Sequence, residues 1–175
     1  MTIVEVIAVL NGMVQDGVLE GYAIGGAVGA TFYLEPVATV DLDVFVRLGA
    51  SPGKLIANPQ PIFAYLAARG HKMEGEYVWI GDWPVQFLGL PGALGEEAYR
   101  EAKSMEVAGT AVRVFSPEHL ALIALQTGRA KDKARLLSFI EVSAIEMVRF
   151  ENIVSRHGLT QQWDTFRAEF LEGTP

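Results

Sequence analysis

Asp41 and Asp43 stand two residues apart in segment 39–48, where Val40, Leu42, Val44 and Val46 alternate with Asp41, Asp43, Phe45 and Arg47. That alternation has the period of a β-strand, which sends both carboxylates to one face. Like charges so close repel unless a cation lies between them. Paired carboxylates suit Mg²⁺, which takes a few carboxylates together with substrate phosphate oxygens. The chemistry such a pair serves is phosphoryl or nucleotidyl transfer, in which metal ions neutralise phosphate charge and orient the nucleophile. Upstream, Gly25-Gly26 follows the strand-like Tyr22-Ala23-Ile24 and precedes a helix-like run. Glycine there lets backbone N–H groups approach a phosphate, and the helix N-terminus adds a favourable dipole.

These residues need a scaffold, and the pattern predicts one. A helix is expected over 2–17, with Ile3, Val4, Ile7, Leu10 and Val14 near one face. A strand over 22–24, a helix over 27–34 ended by Pro36, and the strand 39–48 follow. After a loop over 49–61, a helix over 62–69 is closed by Gly70. Strands over 72–80 and 84–90 read as a hairpin joined by Gly81-Asp82-Trp83, with a loop over 91–95 and a short strand over 111–115. From Ser116 the pattern is helical, with Ser116 as N-cap and Pro117 at the first helical position. Helices are expected over about 117–126, 130–145, 147–157 and 161–171. The expected fold class is α+β: a mixed sheet with flanking helices over 1–115, then a helical region over 116–175 packed on it.

Composition narrows the classes of function. Half of the 175 residues are apolar, enough for a proper core. A net charge of −7 repels a long duplex, so bulk DNA is not an expected partner. The absence of cysteine excludes disulfides, thiol catalysis and Cys-ligated zinc, and fits a reducing cytoplasm. Glu5 interrupts the first apolar run and no basic residue precedes it, so an amphipathic helix is expected rather than a signal peptide. No apolar stretch reaches bilayer length, and the expectation is a soluble cytoplasmic protein without a membrane partner. His71, His119 and His157 lack metal-ligand spacing and read as structural. No serine-hydrolase elbow, Walker A loop or dinucleotide fingerprint is present. Trp79 and Trp83 flank the hairpin turn and are expected to pack the sheet, with base stacking as the alternative. Leu120, Ile123, Ala124, Leu136, Leu137 and Ile140 read as core. Trp163, Phe166 and Phe170 form a stripe that docks on the body or on a second subunit.

Ile24-Gly25-Gly26 followed by Val40-Asp41-Leu42-Asp43-Val44 resembles the signature of the polymerase-beta-like nucleotidyltransferase superfamily. Tyr22-Ala23-Ile24-Gly25-Gly26-Ala27, with Thr39 two residues before the first Asp, is similar to the abortive-infection toxin-type nucleotidyltransferases and related bacterial proteins. Ser116-Pro117-Glu118-His119-Leu120 and Gly128-Arg129-Ala130-Lys131-Asp132 are similar to that group too, so the resemblance spans roughly 20–140. It implies that Gly25 and Gly26 cradle NTP phosphates, and that Asp41 and Asp43 are catalytic and bind Mg²⁺ or Mn²⁺. It further implies that Arg129 and Lys131 contact triphosphate or acceptor phosphate. Without it, the cluster Arg129, Lys131, Lys133 and Arg135 around Asp132 reads as a solvated helix start with a local pair. The implied activity is transfer of a nucleoside monophosphate to a hydroxyl of RNA, tRNA included, or of a protein, in a toxin–antitoxin setting.

The pattern also departs from the superfamily. A third carboxylate is expected where Val85-Gln86-Phe87-Leu88 stands, and the neutral Gln86 cannot act as a base. Val37 and Ala38 occupy the region where a basic residue often precedes the Asp pair. Either the chain keeps nucleotide or partner binding without turnover, or Glu74 or Glu76, read as sharing one face of the preceding strand, stands in. A third reading leaves the carboxylates as a plain polar strand face on a protein that works through protein contacts.

Overall fold

Alternation along the strands sorts side chains onto two faces of one sheet. The structure, a computed structural model, describes residues 2–36, 39, 41–47 and 58–172. The expectations at Val37, Ala38, Val40 and Leu48 and over the loop 49–57 fall outside these residues. Seven strands form a mixed sheet: β1 (Gly21–Ile24), β2 (Leu42–Arg47), β3 (Lys72–Glu74), β4 (Tyr77–Ile80), β5 (Trp83–Leu88), β6 (Lys103–Val107) and β7 (Thr110–Val114), in the order β3-β4-β5-β2-β1-β7-β6. Strand β2 runs antiparallel to β1 and parallel to β5, while β1 meets β7 in parallel at Ile24 and Val114.

Helices cover both faces. On one side, α1 (Ile3–Gln15) and α3 (Gln60–Ala67) pack Val6, Ile7, Leu10, Ile62 and Leu66 against Ile24, Leu42, Val44, Val46 and Val85. The opposite face carries Ala23 and Phe45 under α4 (Gly92–Arg100), α5 (Pro117–Thr127), α6 (Ala130–Glu141), α7 (Met147–Arg156) and α8 (Thr160–Phe170). Asp43 lies between Leu42 and Val44 in β2, so period-2 geometry turns its carboxylate toward α5 and α6. The start of α5 is as the sequence reads: Ser116 caps it by accepting the His119 backbone N–H at 3.4 Å, with Pro117 in the first turn. The stripe of the last helix docks within the chain. Phe150 of α7 meets Trp163 edge-on at 5.0 Å, and Phe166 lies 5.8 Å from Trp163. Among the described residues no helix is long and apolar enough to cross a membrane.

Four local expectations are corrected. Segment 72–80 is not one strand: the chain turns at Gly75-Glu76, with Gly75 at φ 61°, and returns antiparallel. Glu74 and Glu76 therefore do not share a strand face. The helix α2 (Gly26–Ala30) stops four residues early, and the Thr31 hydroxyl donates to the Val28 carbonyl at 2.7 Å, competing with the next helical turn. The loop expected over 91–95 begins α4 instead. Strand β6, unread in the sequence, pairs with β7 through a two-residue turn at Ala108-Gly109.

One buried carboxylate joins three helices. Glu97 of α4, 6% exposed, accepts from Arg156 Nη2 at 2.6 Å, from His157 Nε2 at 2.7 Å and from His119 Nε2 at 3.3 Å. With that tautomer His119 Nδ1 accepts the Ser116 hydroxyl at 2.7 Å. His119 is buried, and burial holds its ring below the ordinary histidine range and so neutral. The Arg156 hydrogen bond, helped by His157 and His119 against the cost of burial, holds the Glu97 carboxyl down at about 2. The unfolded chain protonates this group below about 4.5, so its contribution is complete above 4.5 and is lost as pH falls toward 2. The contribution is on the order of 3 kcal/mol. Urea unfolding at pH 7, 4.5 and 3 should show stability falling steeply over the acid interval, and Glu97→Gln should flatten that fall. Parallel pH profiles for the two proteins would contradict the assignment.

Candidate functional site

The face of β2 that carries Asp43, the turn before α2 and the near sides of α5 and α6 enclose a cleft of about 910 Å³. Asp43 enters it from β2, and Asp41 enters from the residue just before the strand, so the pair straddles the strand's start rather than lying within it. The Tyr77 hydroxyl donates to Asp41 Oδ2 at 3.4 Å, and the Thr39 hydroxyl lies 3.4 Å from Asp41 Oδ1. Loss of solvation and the charges of Asp41 and Glu76 push the Tyr77 hydroxyl up, which keeps it a donor.

The glycines and the aspartates are one structural unit. The Gly25 N–H donates to the Asp43 carbonyl at 3.0 Å, tying the turn to β2. Gly26 sits at φ 58°, and a Cβ there would collide with the Asp43 carboxylate. A Cβ on Gly25 would instead enter the Phe45 and Phe115 rings, whose centroids lie 4.8 Å apart. Gly26 lines the cleft, whereas Gly25 packs behind it.

Charge in the cleft is divided. Burial pushes the Asp43 carboxyl up, the charge of Asp41 adds to this, and Arg135, Lys131 and Arg129 act in the opposite sense. Arg129, Lys131 and Arg135 all line the cleft on the α6 side. Arg135 exerts the strongest of the three effects on Asp43, ahead of Lys131 and Arg129, the two to which the resemblance points. Its signal was the spacing 129, 132, 135, which places one buried acid between two guanidinium groups on a helix face.

The register settles where the remaining candidates lie. Asp43 pairs with Gln86, Gln86 with Tyr77 and Tyr77 with Glu74, so a row crosses four strands. Gln86 stands beside Asp43 and lines the cleft. Glu76, in the turn before Tyr77, lines it as well, while Glu74 at the far end of the row does not. Trp79 and Trp83 do not line the cleft, and Trp83 packs on the core beneath α1 and α3. The donors around Asp41 and Asp43 are carboxylate, hydroxyl and amide oxygens, a hard set that fits Mg²⁺ or Mn²⁺ better than a soft metal. Away from the cleft, among the described residues, Glu97, Glu101 and His119 place their ligand atoms within 4.8 Å of one another. Their carboxylates are engaged by Arg156 and Arg149, and the three do not line the cleft.

The fold has counterparts among solved structures. An antigenic nucleotidyltransferase-like protein from Paracoccidioides brasiliensis superposes with a TM-score of 0.56 at 14% identity, over 79% of this chain and 75% of that one. ANT(2″)-Ia in complex with adenylyl-2″-tobramycin matches with a TM-score of 0.54 at 18% identity, over 97% and 99% of the two chains. The chain has a nucleotidyltransferase fold. The solution structure of the antibiotic-resistance factor ANT(2″)-Ia agrees, with a TM-score of 0.54 at 16% identity over 95% of each chain. No family model matches the sequence, and no curated protein matches it.

Proposed function

We propose that the chain is a metal-dependent nucleotidyltransferase, with Asp41 and Asp43 holding Mg²⁺ or Mn²⁺ and Gly26, Arg129 and Lys131 holding an NTP. The observation that carries this reading is the convergence of the two carboxylates, under the glycine turn, opposite a cationic wall in one cleft. Bound metal would neutralise phosphate charge and help to activate the attacking hydroxyl. The chain's own work is orientation. Gly26 leaves room for Asp43, Tyr77 and Thr39 fix Asp41, and the cations of α6 hold the phosphates in line. Residues 1–115 then supply the carboxylates, and residues 116–175 the cations. Between the two stand-ins for a third carboxylate, the geometry favours Glu76, which lines the cleft beside Tyr77, over Glu74.

A second reading is a nucleotide-binding module without turnover, supported by Gln86 in direct register with Asp43. The test supplies each labelled NTP with Mg²⁺ or Mn²⁺ and offers three acceptors. Total tRNA and total protein follow the resemblance to abortive-infection toxin-type enzymes. An aminoglycoside follows the adenylylated tobramycin bound to the ANT(2″)-Ia structure. Labelled product supports the enzyme. Calorimetric binding of Mg-NTP without product selects the module, and neither result overturns both readings. In Gln86→Asp a charge is added beside Asp43, and divalent affinity should rise about tenfold or more.

A further inference from the structure

Asp132 is a carboxylate placed where a plain helix start has no use for one so deeply buried. Its side chain is 2% exposed, in the first turn of α6. Arg129 Nε donates to its Oδ2 at 2.5 Å and Arg129 Nη2 to its Oδ1 at 3.3 Å, while Arg135 Nη1 lies 3.5 Å from Oδ1. The three residues follow each other at intervals of three, so they share one helix face, and all three line the cleft. The Arg129 side chain remains 60% exposed and that of Arg135 16%, so the buried acid holds the two guanidinium groups from behind while both keep an edge on the cleft. One carboxylate between two guanidinium groups leaves a net positive charge, to which Lys131 adds, facing the aspartate pair. A planar fork held in place matches phosphate oxygens two at a time and gives up little freedom on binding.

We infer that Arg135 binds the polyphosphate of the substrate, and that Asp132 is a positioning residue that holds Arg129 and Arg135 as a paired fork for it. The inference rests on the reading of the cleft as a nucleotide site, but its chemistry is that of the phosphates alone. The probe is therefore inorganic triphosphate, titrated calorimetrically into the full-length protein without metal. The wild type should bind it. Arg135→Gln and Asp132→Asn should each weaken binding about tenfold, equivalent to about 1.4 kcal/mol. Arg135→Lys, which keeps the charge but loses the fork, should fall between. Because Asp132 acts through the arginines, the double variant Asp132→Asn/Arg135→Gln should lose much less than the hundredfold that independent effects would give. If transfer activity is found, both single variants should raise KM for the NTP with little change in kcat.

Wild-type affinity in Arg135→Gln overturns the role of Arg135, whatever the stability of Asp132→Asn. Wild-type affinity in a folded Asp132→Asn, or fully additive losses, overturns the positioning role. Absence of triphosphate binding by the wild type overturns the whole inference, while Mg-NTP transfer would still stand as the test of the broader reading. Triphosphate binding lost in Arg135→Gln supports the inference even if no transfer is detected.

Discussion

Replacing Asp43 by asparagine is expected to lower nucleotidyl transfer by about a thousandfold or more while leaving the melting temperature unchanged or raised. The activity loss follows from the proposed role. A metal-binding carboxylate contributes several kcal/mol of charge stabilisation at the transferring phosphate, and each 1.36 kcal/mol is a factor of ten in rate. The stability result follows from the structure. Asp43 is partly buried, its carboxyl is pushed up by burial and by Asp41, and the cations opposite offset this only in part. A neutral amide of the same shape removes the repulsion without leaving a cavity. Labelled-NMP transfer and thermal unfolding in the absence of metal measure the two halves. Transfer within tenfold of wild type would remove Asp43 from the site, and a clear fall in melting temperature would make it a structural residue.

Gly26→Ala should have the next largest effect, by a different route. The left-handed conformation at φ 58° costs a non-glycine residue roughly 1–2 kcal/mol. The added Cβ also claims the space of the Asp43 carboxylate, so that side chain must move. A shift of about 1 Å in an orienting group can cost on the order of a hundredfold in rate. Activity should therefore fall far more than the loss of stability explains. Divalent-ion affinity should fall with it, since the metal would meet a displaced ligand. Equal metal affinity in Gly26→Ala and wild type would show that the carboxylate adapts and that the glycine serves only the turn.

The parts of the fold that were legible in the sequence depend on local rules. Leu42, Val44 and Val46 alternate with residues of the other face, and β2 lies there. Ser116-Pro117 carries its own cap chemistry, and α5 starts there. The glycine turn and Asp43 were linked in the sequence only through the resemblance, and the structure joins them because β1 pairs directly with β2. What was hidden depends on distance or on a weak pattern. Strand β6 is an edge with Lys103, Ser104 and Glu106 exposed, so it lacks an apolar rhythm. The break at Gly75 interrupts an otherwise strand-like run, and its consequence, that Glu74 and Glu76 part company, needs the backbone to be seen. Glu97 looks like one more acid in a stretch without a readable pattern, and only the fold reveals that Arg156 and His157, about sixty positions later, converge on it. Arg135 was visible as a charge, but its place in the cleft facing Asp43 was not.

The division of the cleft between an acidic strand side and a basic helical side has a consequence for the order in which the chain is made. Asp43 leaves the ribosome roughly ninety residues before Arg135. At about 5–20 residues per second that is an interval of roughly 5 to 20 seconds. Through it, the strand carries its repelling pair with no cation opposite. The β2–β5 pairing can form in that time, since both strands precede residue 90. The cationic side of the cleft cannot. A nascent chain therefore carries the acidic half of the cleft well before the basic half that faces it, and the face of the sheet with Ala23 and Phe45 waits as long for Leu136, Phe139 and Phe150 to cover it.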